Sequence, residues 1–214
     1  MMITPLEIKR VFSLLEKEHQ PTMLEALKSY TPFQKVVMTL LSSRTKDTTT
    51  IPLVKKLFAR YTLPADFIKA SVSELEKALY GIGFYRVKAR NVKKLSRIIV
   101  ERYGGSVPDT FEELTSLPGV GRKTANCVLA YTFNKPAIAV DTHVHRIANR
   151  LGWVQTKTPE ETEAALKEIV PKMLWKDVNK LLVDHGQRIC VPIIPKCHRC
   201  VIREFCMYGK TQEL

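Results

Sequence analysis

Helix-start signals recur along this chain, and no other feature limits its fold as strongly. Thr4-Pro5-Leu6-Glu7 sets a hydroxyl three residues ahead of a carboxylate, with proline at the first helical position. Thr31-Pro32-Phe33-Gln34 and Thr158-Pro159-Glu160-Glu161 repeat the pattern, and Ser71 with Glu74 and Thr110 with Glu113 share its spacing. Each pattern offers a side-chain acceptor to backbone N–H groups that the first turn of a helix leaves unpaired. Behind the caps, apolar residues return at helical spacing, as Ile8, Val11, Leu14 and Leu15 do on one face. Gly81, Gly104-Gly105 and Gly152 end such stretches. The one strand-like run, Ala137-Ile138-Ala139-Val140, is short and has no partner run, so no sheet is expected. The pattern predicts an all-α fold without low-complexity segments or a long linker.

One turn between helices has an unusual composition. Leu117-Pro118-Gly119-Val120-Gly121-Arg122-Lys123-Thr124-Ala125 closes one helix and opens the next. The two glycines permit a tight turn and close backbone approach, while Val120 anchors the turn in the core. The N–H groups of Gly119, Gly121 and the following turn then point outward, and a helix N-terminus with free N–H groups suits a phosphate. A side chain at either glycine is expected to keep the backbone away from such a ligand. An ordinary helix–helix turn is the alternative for a bare Gly-x-Gly. Gly81-Ile82-Gly83 looks similar, but two copies make no solenoid. After it, Arg86, Arg90, Lys93 or Lys94, and Arg97 form a basic stripe at spacings of three or four. A solvated helix face explains such a stripe as well as a nucleic-acid contact does.

The charge balance favours a polyanionic partner. There are 34 Lys and Arg against 21 Asp and Glu, a formal net charge of +13. Phosphate neutralisation by such a surface releases counterions. No apolar run approaches the roughly 18 residues of a membrane span, and the N-terminal MMITPLEIKR has no apolar signal core. A cytoplasmic, nucleoid-associated enzyme with no membrane partner is the expectation. Of the 5 cysteines in the 214 residues, four stand as Cys190-x6-Cys197-x2-Cys200-x5-Cys206. In a chain that is not exported, such a group reads as a metal site before it reads as disulfides. Four thiolates hold either one [4Fe–4S] cluster or zinc, although zinc ribbons use two C-x2-C pairs and this chain has one. Lys196, Arg199 and Arg203 project basic charge from that loop. Cys127 lies outside the set and reads as core.

LSSRTKD at 41–47, GFYRVKARNV at 83–92, LPGVGRKTA at 117–125, VDTHVHR at 140–146 and the cysteine spacing together resemble the endonuclease III family of base-excision repair enzymes. The resemblance covers essentially the whole chain. It implies a two-lobed helix-hairpin-helix glycosylase fold with a C-terminal iron–sulfur cluster loop. Residues 25–135 would form a six-helix lobe with the hairpin, and 1–24 plus 136–214 a discontinuous cluster lobe, with DNA between the two. It implies a [4Fe–4S] cluster on Cys190, Cys197, Cys200 and Cys206, structural in role because no step of the lyase chemistry needs an electron.

The implied activity is a bifunctional DNA glycosylase and AP lyase, acting as a monomer on double-stranded DNA that carries damaged pyrimidines or abasic sites. Lys123 is the expected nucleophile. Attack needs a neutral amine, which the positive end of a helix, desolvation and neighbouring Arg122 all favour. Asp141 is the expected partner, stabilising positive charge at the sugar and relaying a proton. Standing before THVHRIANRL, it is also a good helix cap. DNA contacts are expected from Gly119, Val120, Gly121 and Arg122.

A base must leave the duplex to be reached. Phe84 matches the family's apolar wedge position, with core packing as its other reading. Arg44 stands where many bacterial relatives carry Gln; it donates hydrogen bonds but accepts none, so its preference for the orphaned base is open, and a phosphate contact is the rival role. His143 and His145, two residues apart, cannot share a helix face and read as structural or phosphate-contacting. His185 reads as packing near the cysteines. The alternatives are a monofunctional mismatch glycosylase, whose members usually lack a lysine at the position of Lys123, and a non-catalytic helix-hairpin-helix DNA-binding module.

Overall fold

The computed structural model describes residues 3–22, 25 and 29–211. It is all-helical, with no strand among the described residues. The chain divides into two compact units, 1–22 with 134–214, and 23–133.

In the second of these, α2 (Pro32–Ser42), α3 (Asp47–Arg60), α4 (Pro64–Lys69), α5 (Val72–Ala78), α6 (Tyr85–Tyr103), α7 (Phe111–Ser116) and α8 (Arg122–Tyr131) follow one another; this is one helix more than the six expected. The central element is α6, which buries Ala89, Val92, Leu95, Ser96 and Ile99. Its partners are α4, α5 and α2, while α8 packs on α2 and α7. Phe67 of α4 sits almost wholly buried between the rings of Phe33 and Tyr61.

The other unit holds α1 (Pro5–Glu18), α9 (Thr142–Leu151), α10 (Pro159–Ile169), α11 (Trp175–Arg188) and the four-residue α12 (Met207–Lys210). Its core draws Ile8, Val11, Phe12 and Leu15 from α1 onto Val144, Ile147 and Leu151 of α9 and Val178, Leu181 and Leu182 of α11. Polar contacts fix the end of α1. The Gln20 N–H donates to Asp184 (3.1 Å), and Arg188 donates to the Glu18 carbonyl (2.7 Å).

The cap signals hold at residue level, with two revisions. Thr4 with Glu7, Thr31 with Gln34, and Ser71 with Glu74 form reciprocal capping boxes. Thr110 accepts from the Glu113 N–H, but the Glu113 carboxylate takes the Thr110 hydroxyl and not its N–H. Thr158 is similar: it accepts from the Glu161 N–H, but the Glu161 carboxylate turns to the Lys157 N–H (2.8 Å), so both patterns are caps without the return bond. The strand-like run 137–140 is extended and buried, and pairs with no strand. Instead the Asn179 side chain donates to the Ala139 carbonyl (2.8 Å).

Candidate active site and cysteine pocket

The hairpin is built from α7, Leu117 to Gly121, and α8. Leu117 and Val120 are buried, and the Val120 N–H closes the turn on the Leu117 carbonyl (3.0 Å). The two glycines differ. Gly119 has φ +82°, and a Cβ there would lie 2.8 Å from the Asn91 side-chain nitrogen and 2.9 Å from Leu40. Packing inside the unit and a left-handed backbone therefore already demand that this residue lack a side chain. A Cβ on Gly121 meets nothing within 4 Å. Gly121 is the N-cap of α8 and supplies no side-chain cap, so the start of this helix is an open N-terminus. Arg122 is exposed, with its guanidinium over the Phe111 ring at 4.8 Å. Lys123 follows in the first turn and is half-buried. Behind it, every residue from Thr124 to Ala130 is buried, Cys127 included, which fixes α8 in rotation.

Asp141 belongs to the other unit and caps α9. One carboxylate oxygen, Oδ1, accepts both cap bonds, from the N–H groups of His143 and Val144 at 2.9 Å each. Its Oδ2 has no hydrogen-bond partner among the described residues. The group is half-buried. The cap and the catalytic reading therefore use different oxygens of one carboxylate. The two histidines behind it make contacts within their own unit. His145 bonds Thr162 of α10 (2.6 Å), and His143 sits beside Arg146 (3.2 Å) and close against Gly186.

Arg44 and Phe84 come together. Arg44 is exposed in the loop between α2 and α3, and Phe84 remains 60% exposed at the N-cap of α6, which removes the core reading for it. The guanidinium lies over the ring at 5.4 Å. Beneath them lies a residue that the sequence reading passed over. Lys88 of α6 is only 6% exposed and donates to the Leu41 carbonyl (2.9 Å), the Ser43 carbonyl (2.5 Å) and the Thr45 hydroxyl (3.4 Å). Burial pushes its ammonium down to about 8. The only sequence signal was a lysine interrupting the buried face of α6.

The basic stripe splits in two. Lys93 turns inward and donates to the carbonyls of Ile68 and Ala70 at the end of α4. Arg90, Lys94 and Arg97 are exposed and line a groove of about 410 Å³ with Lys93 itself, Val72, Ile98 and Pro118 of the hairpin.

The four cysteines line one pocket, together with His185, Arg150, Arg203 and Tyr208. They are all free thiols. Burial pushes Cys200 up to about 11, with charge on Cys206, Cys190 and Cys197 acting in the same direction. Among the described residues, no three His, Cys, Asp or Glu side chains converge as a single-ion site. His185 is buried, meets the Cys200 sulfur at 3.5 Å, and is pushed down to about 4 by burial and by Arg188. Two arginines of α9 shape the loop. Arg146 donates to the Cys190 carbonyl (2.8 Å) and Arg150 to the Cys190 sulfur (3.4 Å) and the carbonyls of Val191 (2.8 Å) and Pro192 (2.6 Å). Their i, i+4 spacing on the helix that Asp141 caps is the one signal of this pair that the sequence carries.

A helix pair closed by an open hairpin, a half-buried lysine after it and a terminal cysteine pocket define a class of DNA-repair protein. Residues 37–172 match the HhH-GPD superfamily of base excision DNA repair proteins. Endonuclease III of Thermotoga maritima is 51% identical over 181 residues, 85% of each chain. Endonuclease III of Bacillus subtilis is 41% identical, over 85% of this chain and 84% of its own. A solved endonuclease III trapped as a covalent intermediate with DNA superposes with a TM-score of 0.89 at 36% identity, covering 98% of both chains. The chain belongs to the endonuclease III family, and is an enzyme of its bifunctional DNA glycosylase and AP-lyase class. No helix among the described residues is long and apolar enough to cross a membrane.

Proposed function

We propose that this enzyme removes oxidised pyrimidines from double-stranded DNA through a Schiff base on Lys123 and then nicks the strand 3′ to the abasic site. The observation that carries the reading is the place of Lys123: half-buried in the first turn of α8, directly behind the open hairpin. The covalent intermediate of the 36%-identical endonuclease III is in keeping with it.

The neutral amine of Lys123 donates its electron pair to C1′ of the sugar. The bond from C1′ to the base breaks, and the base leaves with that pair and takes up a proton. Opening of the sugar ring gives an iminium between Nζ and C1′. Loss of a proton from C2′ then expels the 3′ phosphate with its bonding pair, and water hydrolyses the imine to return the lysine. Asp141 contributes through Oδ2, which its capping role leaves available, by stabilising positive charge at the sugar and accepting a proton. Gly121 and the following N–H groups receive a phosphate, with Gly119 and Val120 setting the turn and Arg122 adding charge. Phe84 wedges into the stack and Arg44 faces the orphaned base.

Cys190, Cys197, Cys200 and Cys206 would hold a [4Fe–4S] cluster. The donor set fits: four free thiols rim one pocket, and four thiolates are the ligands such a cluster takes. The cluster would supply cross-links that fix the loop, since base release and elimination transfer no electron. The enzyme would act as a monomer in the cytoplasm, on the nucleoid.

The test is borohydride trapping on duplexes carrying thymine glycol or an abasic site. A covalent adduct on both, absent in Lys123→Ala, is expected. Lys123→Ala should retain duplex affinity within about threefold while losing strand cleavage by a factor of about 1000 or more. An adduct on the abasic site alone would keep the lysine mechanism and overturn the choice of base. No adduct on either would leave the monofunctional reading. A loss of affinity as large as the loss of activity would make Lys123 a phosphate contact.

A further inference from the structure

Two short segments of the 23–133 unit carry the side chains assigned above to DNA insertion, and both hold unfavourable backbone. Arg44 has φ 53° and Phe84 has φ 59°. Both are left-handed conformations that side-chain-bearing residues rarely adopt, so something must hold them there. The holding contacts run between the two segments. The Gly83 N–H donates to the Thr45 hydroxyl (3.1 Å). A Cβ on Gly83 would lie 2.8 Å from the Arg44 carbonyl oxygen, so the loops are as close as backbone allows.

Lys88 completes the tie from below. It lies one turn into α6, directly after Phe84, and its ammonium reaches across to the end of α2. Three N–H donors meet three acceptors, on Leu41, Ser43 and Thr45. Carbonyls in the last turn of a helix lack intrahelical partners, and a cation there is favoured by the helix dipole. No carboxylate pairs with Lys88 among the described residues. A buried ammonium without a counter-ion is costly, and a methionine would fill the same space at lower cost in desolvation.

We propose that Lys88 is a positioning residue that locks the Arg44 loop and the Phe84 turn into one inserting unit, so that both side chains enter duplex DNA together. It touches neither DNA nor the reacting atoms. The proposal rests on the reading of Arg44 and Phe84 as inserting residues. Its consequence is selective: insertion matters where a base stack must be opened, and not where the target sugar already lies in a single strand.

The experiment compares cleavage of an abasic site in duplex and in single-stranded DNA, which share the same bond-breaking step. Lys88→Met should lower duplex kcat/KM by about tenfold and single-strand cleavage by less than about twofold. Arg44→Ala and Phe84→Ala should show the same selectivity. Combining Lys88→Met with Arg44→Ala should cost little more than the worse single change, because the loop is already misplaced. Thr45→Val, which leaves Lys88 in place but removes one of its acceptors and the acceptor of the Gly83 N–H, should give a smaller loss of the same kind and serves if Lys88→Met folds poorly. Equal losses on both substrates, or effects that multiply in the double variant, would overturn the proposal. A duplex-selective loss in Arg44→Ala and Phe84→Ala but not in Lys88→Met or Thr45→Val would overturn it alone. No loss in Arg44→Ala and Phe84→Ala would overturn the insertion reading and the proposal with it.

Discussion

Between Leu117 and Tyr131 the chain is held by its own packing; between Ile189 and Cys206 it is held by arginines from a neighbouring helix. In the first stretch, Leu117, Val120 and seven consecutive residues of α8 are buried, and Gly119 fits only because it has no side chain. In the second, regular structure shrinks to two 3-10 turns at Cys197–Arg199 and Arg203–Phe205. Ile193 and Ile194 stand 88% and 80% exposed. The difference teaches how each region is completed. Apolar burial makes the hairpin rigid before any ligand arrives. The cysteine loop buries too little to define itself, and its four thiols want a bonded partner.

The largest expected effect tests that contrast. Cys200→Ser should lose the brown absorbance expected of the proposed cluster and stability on the order of 3 kcal/mol, about 6–12 °C in melting temperature. A variant that melted like the parent and kept full activity would place the loop beside the hairpin as self-sufficient, and end the comparison.

Asp141 sharpens it from the other side, because in the proposed mechanism one carboxylate serves both structure and chemistry. Asp141→Asn keeps a good cap and should melt within about 1 °C of the parent, yet lose about 100-fold or more in base excision. Asp141→Ala should lose the same activity and, in addition, about 1 kcal/mol of stability. Equal melting of the two variants, measured by calorimetry, would show that the Oδ1 contacts with His143 and Val144 contribute nothing.

The glycines of the hairpin separate packing from recognition within a single turn. Gly119→Ala should cost about 2–3 kcal/mol, from the left-handed backbone and the collision with Asn91 and Leu40. Gly121→Ala should cost less than about 1 kcal/mol but weaken duplex binding by roughly tenfold, since the methyl group stands in front of the open N-terminus of α8. If both lost stability alike and bound DNA alike, Gly121 would have no part in recognition.

Most of the fold was legible because it is written in local signals. Caps at Thr4, Thr31 and Ser71 act over three residues, and the sequence displays both partners. The candidate site was legible where spacing carried the chemistry, as in the cysteines and in Lys123 after the hairpin. What escaped were contacts made across sequence. Lys88 reaches acceptors more than forty residues away, and Arg150 reaches the Cys190 sulfur from another helix. In sequence, Lys88 looks like one more cation beside Arg86 and Arg90, and Lys93 like one more of an exposed stripe. The structure buries Lys88 and ties the Lys93 ammonium to the end of α4, leaving Arg90, Lys94 and Arg97 as the exposed cations of the groove. Gly119 was legible as a required glycine, but the reason lies in Asn91 and Leu40, which no local pattern names.

The smallest effect concerns Lys88 and proton uptake. Burial holds its ammonium near 8 in the folded chain, against 10.5 when exposed. Below pH 8 both states carry the proton, and the folded state bears the full cost of burying it. Between about 8 and 10.5 the unfolded chain binds more protons than the folded one, so stability from this group rises with pH across that window. Other groups titrate there too, and the comparison with Lys88→Met cancels them. The melting temperature of the parent minus that of Lys88→Met should therefore increase from pH 7 to pH 9.5. A constant difference would mean that the three acceptors from Leu41, Ser43 and Thr45 offset the burial fully and keep Lys88 charged throughout. In that case the hairpin's unit would contain a buried charge as firmly self-completed as its apolar core, and the contrast with the cysteine loop would be sharper still.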